Sequence, residues 1–173
     1  MHINPDLALA YLKRGDHHYS QGDWHQAIAN YQQATRFRPD YASAYRHLGH
    51  AYCRLRDFGL AQSAYYRALD LQPDHAGSYY NLGFVFARQG NQQAAINHYN
   101  QAIHLNPHHA KTYFNRGLAH LRLGNSPEAL NDLQKASELF QAHCRKGDYQ
   151  QTLLLIEKLR SLVEKPKLLS HAG

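Results

Sequence analysis

The residue types that usually carry chemistry are scarce or scattered in this chain. Its 173 residues hold two cysteines, Cys53 and Cys144, far apart and in no metal or redox pattern. A reducing cytoplasm is the plain reading. No apolar run reaches the roughly 18 residues that a membrane span requires. The N-terminal MHINPDLALAYLKRG lacks a basic region followed by an apolar stretch, so no signal peptide is expected. Charged residues make up only 18% of the chain, and Tyr, His, Asn and Gln take their place on helix surfaces. No Gly-rich phosphate loop or nucleophile motif is present. Asp16, Asp23, Glu128 and Asp132 have no convergent partner. Neither catalysis nor a cofactor is expected.

What the chain does have is repetition. Residues 76–109, AGSYYNLGFVFARQGNQQAAINHYNQAIHLNPHH, form its clearest copy, with landmarks Tyr79, Leu82, Gly83, Phe86, Ala95, Tyr99, Ala102 and Pro107. Thirty-four residues earlier stand Tyr45, Leu48, Gly49, Tyr52, Ala61, Tyr65, Ala68 and Pro73. A further step back gives Tyr11, Gly15, Ala27, Tyr31, Ala34 and Pro39, and a step forward gives Tyr113, Gly117, Ala129 and Ala136. A fixed period of this length marks a repeat architecture. Small residues at Gly49, Gly83, Gly117, Ala61, Ala95 and Ala129 let two helices approach closely, and stacked neighbours complete a core that one pair cannot bury alone.

These residues resemble the tetratricopeptide repeat (TPR), a 34-residue helix–turn–helix unit, over about residues 5–143. The resemblance implies an all-α, right-handed superhelical solenoid with repeats 8–41, 42–75, 76–109 and 110–143. Helices are expected at about 6–20, 24–37, 41–55, 58–71, 75–89, 92–105, 109–123 and 127–143. Asp6 is expected to cap the first, and Gly22-Asp23 to supply the first turn. Pro5, one period before Pro39, reads as the end of a preceding unit. Arg56 stands where other copies carry Gly22, Gly90 and Gly124, so its turn is either strained or different. Gln141 replaces the fifth proline, so the eighth helix is expected to run towards Cys144 and end at Gly147-Asp148. A capping helix follows at about 148–164, with Thr152, Leu155, Ile156, Leu159, Leu162 and Val163 on one face. The single domain then spans 1–164, and 165–173 form a flexible tail. The closing helices are similar to those of cyanobacterial TPR proteins.

The resemblance also directs attention to the first helix of each unit, which lines a concave surface in this family. Its thirteenth position gives Ser20, Arg54, Arg88 and Arg122, and three guanidinium groups on successive helices suit an acidic or extended peptide. Its sixth gives Lys13, His47, Asn81 and Asn115. Asn81 and Asn115 resemble the asparagine ladder in the TPR arm of O-GlcNAc transferase, whose amides read a peptide backbone. Arg46, His50, Asn81, Lys111 and Asn115 resemble in part the carboxylate clamp of chaperone-binding TPR domains. Asn81 and Lys111 match it, Arg46 is a basic replacement, and His50 and Asn115 depart from it. Tyr80, Phe84 and Phe114 would anchor an apolar side chain, while Arg46, His47, His50 and Arg54 make the earlier half basic.

The expected function is therefore non-catalytic protein–protein interaction, as adaptor or assembly factor, with an acidic extended or helical peptide in the groove. Self-association is the alternative, motivated by the off-stripe Leu153 and Leu154. A net charge of +6 invites a nucleic-acid reading, but the basic residues are scattered and form no recognised module. The histidine groups His47/His50 and His104/His108/His109 lack the three or four convergent ligands that zinc requires, so no metal is expected. His18 and His120 are expected as core histidines, and Cys53 as a packing residue.

Overall fold

A computed structural model describes residues 5–169 of the chain and the side chains of residues 6–162. Every regular element among the described residues is an α-helix. The chain divides into two compact units at Gln89 and Gly90. The first holds α1 (Pro5–Ser20), α2 (Trp24–Phe37), α3 (Ala42–Arg54), α4 (Phe58–Leu71) and α5 (Ala76–Arg88). The second holds α6 (Gln92–Leu105), α7 (Ala110–Arg122), α8 (Ser126–Ala142) and α9 (Lys146–Leu169).

In the first unit α1 packs on α2 and α3 on α4, while α2 meets α3 and α4 meets α5. The close approach depends on glycine opposite tyrosine. A Cβ at Gly49 would lie 2.5 Å from Cε1 of Tyr65, and Gly15 packs on Tyr31 in the same way. Both rings are 1% exposed, so the missing Cβ makes the slot that each ring fills. In the second unit α7 packs on α8 and α6, and α8 on α9. Here Leu133 takes the ring's place, and a Cβ at Gly117 would meet Asp132 and Leu133 side chains at 3.2 Å.

Two kinds of connection alternate. Between repeats, Arg38, Gln72 and Asn106 leave the helical region at φ near −143°, −141° and −142°. Each precedes a proline, whose ring disfavours helical backbone in the residue before it. Within repeats, the turn residue adopts the left-handed conformation: Gly22 at φ +81°, Gly90 at +87° and Gly124 at +80°. Arg56 takes the same conformation at +62°, so the turn is retained and the side chain bears the strain. Its hydrogen bonds, Arg56 N–H to Cys53 O and Asp57 N–H to Tyr52 O, repeat those of Gly22 and Asp23 and form the αL helix cap that normally recruits glycine. Asp23 and Asp57 then cap the next helix, accepting from Gln26 N–H and Leu60 N–H at 3.2 Å.

The structure alters the expectations at both ends. Asp6 does not cap α1 but lies within its first turn, because the helix already includes Pro5. At the other end, α8 stops at Ala142, and Cys144 at φ +54° makes the turn. Cys144 N–H bonds Gln141 O and Arg145 N–H bonds Phe140 O, the geometry of the turns within repeats. With no proline at 141 to force extended backbone, the helix runs on and closes with an αL cap instead. Gly147 and Asp148 therefore do not end α8; they belong to the first turn of α9. That helix also continues through residues 165–169, expected as tail, while 170–173 and the first four residues lie outside the described ones.

On α9, Ile156 and Leu159 are buried against Ala129 and Leu133 with Leu155 packed beside them, and Thr152 is fully buried. Leu162 departs from that face and is 59% exposed. Leu153, expected off the stripe, packs against the same cluster, whereas Leu154 is 67% exposed. The side chain of Val163 lies outside the described residues.

Candidate functional site

A chain of polar side chains crosses the three first helices of the first unit. Its start is Asp16 on α1. Oδ1 of Asp16 accepts the Tyr31 hydroxyl at 2.9 Å, and Nδ1 of His47 on α3 lies 2.8 Å from the same oxygen. The His47 contact is ionic in distance without hydrogen-bond alignment. Its ring meets Tyr31 edge-on at 5.4 Å and stacks on His50 at 6.2 Å. His50, one turn further along α3, meets Tyr65 edge-on at 5.7 Å. It ends the chain at α5, where Nε2 lies 2.9 Å from the Asn81 amide nitrogen.

An amide nitrogen only donates, so Asn81 donates and His50 carries its proton on Nδ1. This fixes His50 as neutral. Burial first, then electrostatic repulsion from His47, Arg46 and His75 against a second positive charge, lowers its pKa from 6.5 to about 4. The sequence expectation of a basic region around His50 is thus met by an imidazole that carries no charge at neutral pH.

The cations of this unit adopt individual arrangements. Arg46 donates to Gln72 Oε1 at 2.6 Å, and burial lowers its pKa. The Arg54 guanidinium lies 4.6 Å over the Trp24 ring, whose edge contact with Tyr19 is 4.8 Å. Arg88 folds back over Phe84 on its own helix at 5.9 Å. Phe84 is 37% exposed and Tyr80 half-buried. Among the described residues none of Arg46, Arg54 and Arg88 forms an ion pair with a carboxylate.

In the second unit, the expected positions all fall on α7. Lys111 and Arg122 are exposed, and Asn115 is half-buried. Phe114 packs into both local cores and meets Phe140 edge-on at 6.4 Å. Arg116, beside Asn115, points into the core: Nε and Nη2 hold Asp132 at 2.8 and 2.6 Å, and Nη1 reaches Asn100 at 2.6 Å. The Asp132 side chain is only 3% exposed, so this fork-to-carboxylate pair is structural. Arg116 does not supply the clamp cation lacking at Asn115.

The remaining candidates resolve locally. Cys53 is half-buried with Sγ 3.8 Å from the Tyr65 hydroxyl, and burial raises its pKa. It packs, as expected. His75 caps α5, its Nδ1 accepting from Ser78 N–H at 3.0 Å, and His109 meets Thr112 Oγ1 at 2.6 Å. His18 is part-buried near Asp23, and His120 buries an Nδ1 with no hydrogen-bond partner. Among the described residues, no three His, Cys, Asp or Glu side chains group in a way that could hold a metal ion. No helix there is long and apolar enough to cross a membrane.

Beside the polar chain lies a cleft of about 120 Å³ lined by Asp16, Tyr19, Tyr31, His47 and His50. Asp16, Tyr19 and Tyr31 were not among the binding residues expected from sequence. Their signal lay in the repeat register: the positions equivalent to Asp16 are His50, Phe84 and Leu118, so only one copy places a carboxylate there.

Comparison with known proteins is consistent across sequence and structure. Family models described as TPR repeat or tetratricopeptide repeat match residues 15–55, 40–106 and 80–150. A search of curated proteins finds no match. Among solved structures, a crystal structure of MamA is 28% identical with a TM-score of 0.76, over 82% of this chain and 83% of that one. A second MamA structure is 23% identical with a TM-score of 0.73, over 97% of each chain. The first TPR of Spaghetti (RPAP3), bound to the HSP90 peptide SRMEEVD, is 21% identical with a TM-score of 0.70, over 72% of this chain and 98% of that one. Matches extend to 402 solved chains, too many for the fold alone to select a task. With glycine–tyrosine slots, αL turns and overlapping family matches, residues 15–150 of this chain are built of tetratricopeptide repeats.

Proposed function

We propose that this chain is a non-catalytic protein-interaction module, an adaptor or assembly factor, that holds an extended or helical peptide of acidic character along the first helices of its repeats. The observation that carries the reading is the state of the cations. Arg46, Arg54, Arg88, Lys111 and Arg122 all lie on first helices, and no described carboxylate neutralises any of them. A ligand carboxylate would meet guanidinium groups already ordered by Trp24, Phe84 and Gln72, which lowers the ordering cost of binding. Asn81 keeps its carbonyl oxygen and a second amide proton for a peptide backbone, and Asn115 is the corresponding residue on α7. Tyr80, Phe84 and Phe114 would contact an apolar side chain, with Phe114 contributing only the edge its core packing leaves. The RPAP3 repeat of similar fold was solved with a peptide ending in EEVD; an acidic segment is the corresponding chemistry here. The setting we infer is cytoplasmic, and the closing helices suggest a cyanobacterial-type source.

Fluorescence polarisation with labelled peptides of defined charge tests this. Acidic peptides should bind, more weakly as salt rises, and Arg54→Glu with Arg88→Glu should weaken them by about tenfold or more. Equal binding of acidic and basic peptides, or an indifferent double variant, would refute the reading.

Self-association is a second reading, favoured by Leu154 and Leu162, which are 67% and 59% exposed on α9. Sedimentation showing a monomer at high concentration would remove it.

A further inference from the structure

The cleft of the first unit has the wrong sign for an acidic ligand. Its one carboxylate is Asp16, whose side chain is 47% exposed. Tyr31 and His47 both approach Oδ1, so Oδ2 receives no hydrogen bond from any described residue. Around that carboxylate stand the rings of Tyr19, Tyr31, His47 and His50. His50 is held neutral by the amide of Asn81. Arg54, whose charge acts on Tyr19, is stacked on Trp24. A carboxylate walled by aromatic rings attracts a cation twice, through its charge and through the ring quadrupoles. An anion placed here would meet Asp16 at close range and lose its water for nothing in return. A volume of about 120 Å³ takes a charged head and part of its stem, and little more.

We propose that this cleft seats one basic side chain, the ammonium or guanidinium of a Lys or Arg in a bound peptide, with its charge on Asp16 and its stem against Tyr19 and Tyr31. The inference rests on the peptide-binding reading and sharpens it: the preferred ligand is an acidic segment interrupted by one basic residue. The basic residue seats between α1, α2 and α3, and its acidic neighbours reach Arg46 and Arg54 on α3. The same pairing of charges discriminates against uniformly acidic chains, because they leave Oδ2 of Asp16 desolvated and unpaired.

The test uses the full chain, isotope-labelled, titrated with N-acetyl-lysine methylamide and followed by amide NMR. The control is the same compound acetylated on its side-chain nitrogen, which has the stem without the charge. The expected result is saturable shifts around Asp16, Tyr19, Tyr31 and His47 with the cationic probe alone, in the millimolar range suited to so small a ligand. Asp16→Asn, which keeps an oxygen for Tyr31, should weaken the probe about tenfold or more, and Tyr19→Ala several-fold. Equal shifts from both compounds, no shifts, or an unaffected Asp16→Asn would overturn the proposal. A parallel series of acidic peptides with and without one Lys separates the two readings. If acidic peptides bind and Lys makes no difference, the cleft fails and the peptide-binding reading stands. If the probe binds while every peptide fails, the cleft stands without it.

Discussion

Replacing Arg56 by glycine should stabilise the protein. Arg56 holds φ at +62° in the turn between α3 and α4, where three equivalent turns use glycine at +80° to +87°. For a residue with a Cβ, left-handed backbone costs about 1–2 kcal/mol, and glycine escapes that cost. Against this, glycine gives the unfolded chain more freedom, a loss of roughly 0.4–1 kcal/mol. The Arg56 side chain is exposed, so little packing is lost, and the net gain is about 0.5–1 kcal/mol. For a chain of this length each kcal/mol moves Tm by roughly 2–4 °C. Urea denaturation followed by circular dichroism would read the change as a higher midpoint at constant slope. Gly124→Ala is the converse. It sits at +80° with nothing within 4 Å of an added Cβ, so no packing term enters, and after the same unfolded-chain term is subtracted it should lose about 0.5–1 kcal/mol. An Arg56→Gly protein no more stable than wild type, or a Gly124→Ala protein no less stable, would refute the strain argument.

Three further outcomes are expected. Asp132→Ala leaves Arg116 unpaired beside the core and should cost about 3–5 kcal/mol in urea denaturation, whereas replacing both residues by apolar ones of similar volume should cost far less. Gly49→Ala would drive a methyl group to 2.5 Å from Tyr65 Cε1 and should cost about 1–3 kcal/mol; unchanged stability would show that the ring can yield. His50 makes stability depend on pH. Its pKa falls from 6.5 to about 4 on folding, so between those values the unfolded chain binds the extra proton. Its contribution is complete above 6.5 and lost as pH falls towards 4, about 3 kcal/mol in all. Melting curves at pH 7 and 4.5 should diverge less for His50→Gln than for wild type; equal divergence would assign the acid sensitivity elsewhere.

The repeat period carried nearly all of the fold. It located α2, α4 and α6 to the residue because each begins after a capping Asp or Asn and ends before an X-Pro step, two signals written in local sequence. Where a signal was missing, the boundary moved. Without a proline at 141 nothing in the sequence marked the end of α8, and Cys144 supplied an αL turn that no rule assigns to cysteine. Gly147, the residue that looked like the break, is absorbed into α9 because a helix tolerates one glycine in its first turn. Leu153 could not be assigned from periodicity either, since a helix packed on one neighbour buries a wider arc than a narrow stripe.

The site was less legible for a related reason. Register identifies which side chains share a face, but not what each one bonds. His50 and Asn81 stand on successive repeats at different positions, and only the folded arrangement brings the Asn81 amide within 2.9 Å of His50 Nε2. Phe114 looked available by spacing, yet Phe140 and the two local cores claim it, and Arg116 beside Asn115 is held by Asp132 and Asn100. Asp16 could have been found. A repeat protein uses its shared positions for scaffold, so its individuality lies in the positions that break register without weakening the core. At the ninth position of the first helix this chain runs Asp16, His50, Phe84, Leu118: a charge, a neutral polar ring, an apolar ring and an aliphatic group. The two ring-packing tyrosines behind the first two, Tyr31 and Tyr65, are equally buried, so the scaffold at that position is constant while the chemistry presented changes. On the peptide-binding reading proposed above, this order of groups would suit a ligand with a direction, its basic residue towards Asp16 and its apolar residues towards Phe84.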